Sequence, residues 1–211
     1  MARINEQERL IELTKREREF WDNGIYPAGM DEVGRGPLAG PVVTCCVILP
    51  REPLIEYIND SKKVTEKRRI MLAPIIEAQA VAIGYGCCTN AEIDALNILN
   101  ATKKAFRQAY FAMEHNCSDV LIDAVTGLDI PARQHSIIHG DALSYLIGAA
   151  SIAAKVKRDS YMCKIAEKYP EYGFERNKGY GTAEHIAALK KYGPCPIHRM
   201  SFIGKIMGEK Q

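Results

Sequence analysis

The chain has no C-x-x-C pair, no internal repeat, no low-complexity tract and no apolar run near the ~18 residues that cross a bilayer. The missing apolar run excludes a membrane span. The missing repeats and biased tracts exclude solenoids and disordered linkers. Its seven cysteines include the adjacent pairs Cys45–Cys46 and Cys87–Cys88, with Cys117, Cys163 and Cys195 apart. An odd count without metal-ligand spacing excludes a disulfide framework and a structural zinc, and predicts reduced, buried thiols in a cytoplasmic protein. Residues 1–20 are charged and lack an apolar core, so no signal peptide is expected there. Charge of one sign is scarce as well. Lys and Arg number 28 against 26 Asp and Glu, a formal net charge of +2, which is compatible with a basic face surrounding an acidic pocket.

What is present suits one well-packed domain of 211 residues, 47% of them hydrophobic. Helical spacing predicts one helix over 4–23, stopped by Asn23-Gly24, and others over 65–79, capped by Thr65, and 90–115. Strands are expected near 29–33, 42–49, 80–88, 118–125 and 136–139. A long helix should run from about 141 to 169, stopped by Pro170, and another over 182–192, followed by a Pro-rich turn and a short tail. Early strands followed by strand–helix alternation predict an α/β fold with a mixed sheet flanked by helices. The expected organisation is an N-terminal helical extension over 1–28 and a catalytic domain over 29–211, with a small C-terminal helical part from about 160.

The placement of four acids is the informative feature. Asp31 and Glu32 stand at a strand end before a glycine-rich loop, Asp123 closes the run Val120-Leu121-Ile122, and Asp141 follows Ile138-His139-Gly140 at a helix start. Strand ends are where α/β sheets place their sites. Carboxylates gathered there need cations or bases, and hard oxygen donors without nearby His or Cys suit Mg²⁺ or Mn²⁺. Singly, each has a plainer use: Asp141 as a helix cap, Asp123 as a turn residue, Glu32 as surface. On the predicted helix, Asp141, Ser144, Gly148, Ser151, Lys155 and Arg158 recur at steps of three and four and share one face. Such a stripe admits a nucleic-acid backbone or another segment of the protein. For Lys155 and Arg158 a solvated helix face is the competing explanation. Trp21 and Phe20 favour packing of the first helix on the domain, and His185 and His198 read as a helix-surface and a loop residue.

The blocks Gly29-Met30-Asp31-Glu32-Val33-Gly34-Arg35-Gly36, Asn59-Asp60-Ser61-Lys62-Lys63, Glu92-Ile93-Asp94-Ala95-Leu96-Asn97, Gly140-Asp141, Ala150-Ser151-Ile152-Ala153-Ala154-Lys155, Lys178-Gly179-Tyr180-Gly181 and His198-Arg199-Met200-Ser201-Phe202 occur in that order. Together they resemble bacterial ribonuclease HII from about Gly29 to Gly204. The resemblance implies a ribonuclease H-like fold and Mg²⁺- or Mn²⁺-dependent two-metal hydrolysis of the RNA strand of RNA–DNA hybrids. It also implies cleavage 5′ of single ribonucleotides in duplex DNA, leaving 5′-phosphate and 3′-hydroxyl ends, as ribonucleotide excision repair requires. Asp31, Glu32, Asp123 and Asp141 then stand as metal ligands. Gly34, Arg35 and Gly36 contact the 2′-hydroxyl and phosphate, Tyr180 stacks on the following sugar, and Ser61, Lys62 and Lys63 lie along the substrate backbone.

Two positions depart from the family pattern: Ala124 replaces a glycine after Asp123, and His139 replaces a lysine before Gly140. The first predicts an ordinary or slightly strained backbone, the second a charge that titrates near neutrality. The related ribonuclease HIII is disfavoured, because only 28 residues precede Gly29 and Arg35 is present. A catalytically silent hybrid-binding protein of the same fold is the alternative from another class. The tail 202–211 carries no clear sliding-clamp peptide, and a monomer acting on hybrid and ribonucleotide-containing duplex is expected.

Overall fold

Side chains alternate along each strand, and that alternation sorts the core into two layers. In the computed structural model, which describes residues 5–208, β1 (Ala28–Val33), β2 (Val42–Ile48), β3 (Ala82–Cys88), β4 (Asp119–Asp123) and β5 (Arg133–Ile137) form one sheet in the order β3-β2-β1-β4-β5. The β1–β2 and β2–β3 pairs are antiparallel, and β1–β4 and β4–β5 are parallel. The sheet is therefore mixed, as the element order predicts. The helices are α1 (Glu6–Leu13), α2 (Lys15–Trp21), α3 (Glu66–Gln79), α4 (Asn90–Leu96), α5 (Ile98–Ala112), α6 (Gly140–Leu143), α7 (Tyr145–Lys168), α8 (Phe174–Asn177), α9 (Ala183–Tyr192) and α10 (Met200–Met207). Among the described residues no helix is long and apolar enough to cross a membrane.

Cys45, Val47 and Leu121 face α7, where Leu146, Ala150 and Ile152 meet them. Ala28, Met30, Cys46, Ile48, Val120 and Ile122 face α5 and pack on Phe106, Ala109 and Tyr110. Burying each large apolar side chain contributes about 1.5–3 kcal/mol. Helix α7 lies so close to β1 that a Cβ on Gly29 would fall 2.3 Å from the Leu146 carbonyl carbon. Leu10, Leu13 and Trp21 join the α7-side core, so α1 and α2 pack on the sheet domain.

Three helices predicted as continuous are each split, at Thr14, Asn97 and Ser144. All three residues carry short polar side chains that compete with the helical ladder. The Thr14 hydroxyl donates to the Leu10 carbonyl at 2.8 Å, Asn97 adopts φ 66° and accepts from the Asn100 N–H, and Ser144 is extended and caps the Ile147 N–H. The last split breaks the predicted stripe: Asp141 belongs to α6 and Ser144 to the junction, whose hydroxyl turns to the buried Glu17. Strand β5 lies three residues earlier than expected at its start. The short tail carries α10, which Asp94 caps by accepting from the Met200 and Ser201 N–H groups at 2.9 and 3.0 Å. Residues 209–211 of that tail lie outside the described residues. Cys45, Cys46, Cys88 and Cys195 are buried free thiols, Cys117 and Cys163 are half-buried, and Cys87 is exposed, contrary to expectation, at the open edge of β3.

Candidate active site

Register brings the acids together. Met30 on β1 stands beside Ile122 on β4, so the next residues, Asp31 and Asp123, leave the sheet on neighbouring strands and on the face covered by α7. Glu32 points the other way, and the β1–β2 ladder continues without a bulge through Glu32↔Thr44 and Val33↔Val43. No bulge at this point therefore carries Glu32 to the site. The pairing of β1 with β4 ends at Met30, so nothing on that side blocks the Glu32 side chain from the common cleft. Asp141 arrives from α6, which is tied to β4 by the Gly140 N–H donating to Asp123 Oδ1 at 2.8 Å. Asp141 is not the helix cap; His139 holds that position, in the left-handed region at φ 58°.

These four acids line one cleft of about 490 Å³ with Gly34, Arg35, Gly36, Ser61, Lys62 and Tyr180. Lys63 is exposed and does not line it. Val33, Arg69, Ser151 and Lys155 complete the lining. Arg69 received no role from sequence reasoning; its guanidinium donates to the Ser61 carbonyl at 2.7 Å and so fixes the loop carrying Lys62. Arg158, the other cation of the predicted stripe, is fully buried, so a solvated face is the wrong description of it. Ser151 Oγ and Ser61 Oγ are 2.8 Å apart, linking α7 to that loop. Lys62 Nζ lies 3.5 Å from Asp141 Oδ2, and Arg35 lies 3.5 Å from Glu32 Oε1.

The loop after β1 opens with Gly34 at φ +94°, where a Cβ would also collide with Arg158 at 2.2 Å. Tyr180, 40% exposed, comes within 3.9 Å of where a Cβ on Gly36 would stand. Ala124 takes φ +47°, a conformation that costs a non-glycine residue about 1–2 kcal/mol, so the strained alternative is the one realised. His185, expected on a helix surface, lies on α9 but is buried, and His198 lies in a loop as expected; the two face each other with Nε2 atoms 3.0 Å apart.

Burial, with the charges of Glu32 and Asp123 adding to it, raises the Asp31 carboxyl well above its usual range. Burial likewise raises Glu32, against the pull of Arg35, and Asp141, where Asp60 adds repulsion and Lys62 opposes it. Asp60 thus stands close to Asp141, though it does not line the cleft. It stands in the Asn59–Lys63 block, where the resemblance gives roles only to Ser61, Lys62 and Lys63. Glu32 Oε2 is buried without a hydrogen-bond partner among the described residues. Among those residues no three of these side chains converge into a finished ligand cage, as mutually repelling carboxylates should not. Crowded, partly unpartnered hard oxygens fit divalent cations.

A pH-dependent cost follows. The folded-state pKa of Asp31 lies above its unfolded value, so stability falls as pH rises from the unfolded carboxylate range toward and through the folded value. Asp31→Asn is expected to raise Tm in EDTA at neutral pH, by roughly 2–4 °C for each kcal/mol of repulsion relieved. The gain should vanish below about pH 4, where the unfolded carboxyl is itself protonated. Thermal melts across pH check this, and a lowered neutral-pH Tm would contradict the repulsion.

The family model for Ribonuclease HII matches residues 28–205. A ribonuclease HII of Caldanaerobacter subterraneus subsp. tengcongensis is 49% identical over 203 residues, 96% of this chain and 84% of that one. One of Acetivibrio thermocellus is 50% identical over 198 residues, 93% of this chain and 77% of that one. The crystal structure of ribonuclease H2 from Pyrococcus horikoshii OT3 superposes with a TM-score of 0.73 at 26% identity, covering 87% of this chain and 97% of that one.

Proposed function

The chain belongs to the ribonuclease HII family, and from that premise we propose that its acid-lined cleft cuts both RNA–DNA hybrids and duplex DNA at a single embedded ribonucleotide, 5′ of the ribose. Family membership makes it a metal-dependent endonuclease acting on the RNA strand of hybrids. The finer reading rests on one observation: the four acids, the Gly34–Arg35–Gly36 loop and Tyr180 share one cleft. A reacting phosphate beside the acids therefore has its own ribose against the loop.

Asp31, Glu32, Asp123 and Asp141 would hold the divalent ions. Two bound Mg²⁺ or Mn²⁺ ions supply activation of the attacking water and stabilisation of the departing oxygen. The protein's own groups do the rest. The Glu32 N–H holds Asp31 Oδ1 at 2.7 Å, keeping that carboxylate aimed into the cleft. Lys62, 84% exposed and beside Asp141, reaches into solvent where a backbone phosphate passes. The glycine loop brings main-chain N–H groups to the ribose, whose 2′-hydroxyl is the group that locally separates RNA from DNA. Tyr180 offers a flat ring for the next sugar, which a deoxyribose fills more closely than a ribose.

Mg²⁺ and Mn²⁺ are expected to support cleavage of a hybrid, while Ca²⁺ permits binding without cutting. Calcium is larger and accepts looser coordination, so it holds a compact two-ion arrangement poorly. Gel assays with each ion and with excess EDTA check this. Brisk turnover in EDTA would remove the metal mechanism.

A further inference from the structure

Two fully buried arginines lie beneath the recognition loop: Arg158 on α7 and Arg199 at the start of α10. Arg199 donates to the carbonyls of Gly34 at 2.6 Å, Arg35 at 2.8 Å and Gly40 at 2.9 Å. Arg158 donates to those of Pro41 at 2.9 Å, Ala39 at 3.1 Å and Lys178 at 2.9 Å. Every acceptor is a main-chain carbonyl, and none is a carboxylate. Burial pushes both guanidinium groups down, Arg199 to about 9 with the charge of Arg158 adding. Two buried cations with no ion pair among the described residues are a poor way to fill space, since apolar residues of similar volume commonly stabilise a core as well or better. Their geometry points to what they do.

In a trans peptide the C=O and N–H point in opposite directions. The carbonyls of Gly34 and Arg35 turn inward to Arg199, so the N–H groups of Arg35 and Gly36 turn outward, toward the cleft that these residues line. Among the described residues neither N–H has a main-chain acceptor. Arg158 joins the far end of this loop to the Tyr180 loop through Lys178, and the Leu38 N–H donates to the Gly179 carbonyl at 2.8 Å. The Tyr180 carbonyl is held in turn by His185 Nδ1 at 2.9 Å, backed by His198. With the Cys195 N–H donating to His198 Nδ1, both rings are satisfied as neutral tautomers.

We propose that Arg199 and Arg158 are positioning residues for ribose recognition: they hold the loop carbonyls inward, present the N–H groups of Arg35 and Gly36 to the ribonucleotide, and lock the loop in register with Tyr180. This rests on the reading of residues 34–36 as the ribose reader. Arg199→Lys keeps the charge but loses the planar fork, so it cannot hold three carbonyls at once. The test measures kcat and KM on a duplex with one ribonucleotide, and Ki for the all-DNA duplex as competitor. Arg199→Lys is expected to raise KM by about tenfold or more and to leave Ki within about twofold, because only the ribose contact is lost. A merely structural role would lower the active fraction, and with it kcat, leaving KM and Ki unchanged. Arg158→Lys is made in parallel and carries the same test from the other end of the loop should Arg199→Lys not fold. A folded variant with KM within about twofold of the parent, or a loss in kcat alone, overturns the proposal. Equal KM and Ki in the unmodified enzyme would instead overturn the reading of the loop itself.

Discussion

Asp141→Asn is expected to bind an RNA–DNA hybrid and leave it uncut, and Asp31→Asn to do the same. Each substitution removes one carboxylate charge and almost no volume. Asn is as good a helix cap as Asp, so a capping role for Asp141 predicts full activity where a ligand role predicts none. The structure already places Asp141 inside α6, with His139 at the cap and Lys62 at 3.5 Å. Binding should tighten rather than weaken, because the cleft loses a charge that repels phosphate. Cleavage rates with saturating Mg²⁺ check this, alongside affinity for the hybrid. Activity within about tenfold of the parent corresponds to under roughly 1.4 kcal/mol of barrier and would show that the residue is no ligand.

Tyr180→Ala and Arg35→Ala are expected to fail differently, because the two side chains contact different parts of the substrate. Tyr180 presents a half-exposed ring beside Gly36, and stacking on an aromatic contributes about 1–3 kcal/mol. Its removal should cost roughly tenfold or more at an RNA-to-DNA junction, where a deoxyribose follows the cut ribonucleotide, and less on continuous hybrid. Arg35 stands 3.5 Å from Glu32 and contacts phosphate in the proposed reading, so Arg35→Ala should weaken both substrates. That defect should shrink as salt falls and the remaining basic contacts strengthen. Steady-state kinetics on the two substrates at two salt concentrations separate the cases. Equal losses on both substrates for Tyr180→Ala, with a lowered Tm, would mean that the ring only packs the 178–182 loop.

Local signals carried most of the architecture, and remote partners account for what they missed. Strand and helix periodicity located all five strands and the main helices, and the four acids stood out by their places at strand ends. The interruptions at Thr14, Asn97 and Ser144 were legible as polar residues but not as breaks, since each also fits a helix surface. Helix α10 escaped because its cap, Asp94, lies 106 residues away from Met200. The burial of His185 and His198 was invisible for the same reason: they satisfy each other across 13 residues and pack against Tyr172 and Phe174. Arg158 and Arg199 make no ion pair among the described residues, and their six acceptors are carbonyls, which any residue supplies.

The most direct measurement places a single ribonucleotide in one strand of an otherwise all-DNA duplex and maps the cut at nucleotide resolution, with Mg²⁺ or Mn²⁺ and with EDTA. The account predicts one cut immediately 5′ of the ribonucleotide, leaving a 3′-hydroxyl and a 5′-phosphate, and no cut in EDTA. An intact duplex under conditions where the same enzyme digests a continuous hybrid, or a cut on the 3′ side, would contradict it.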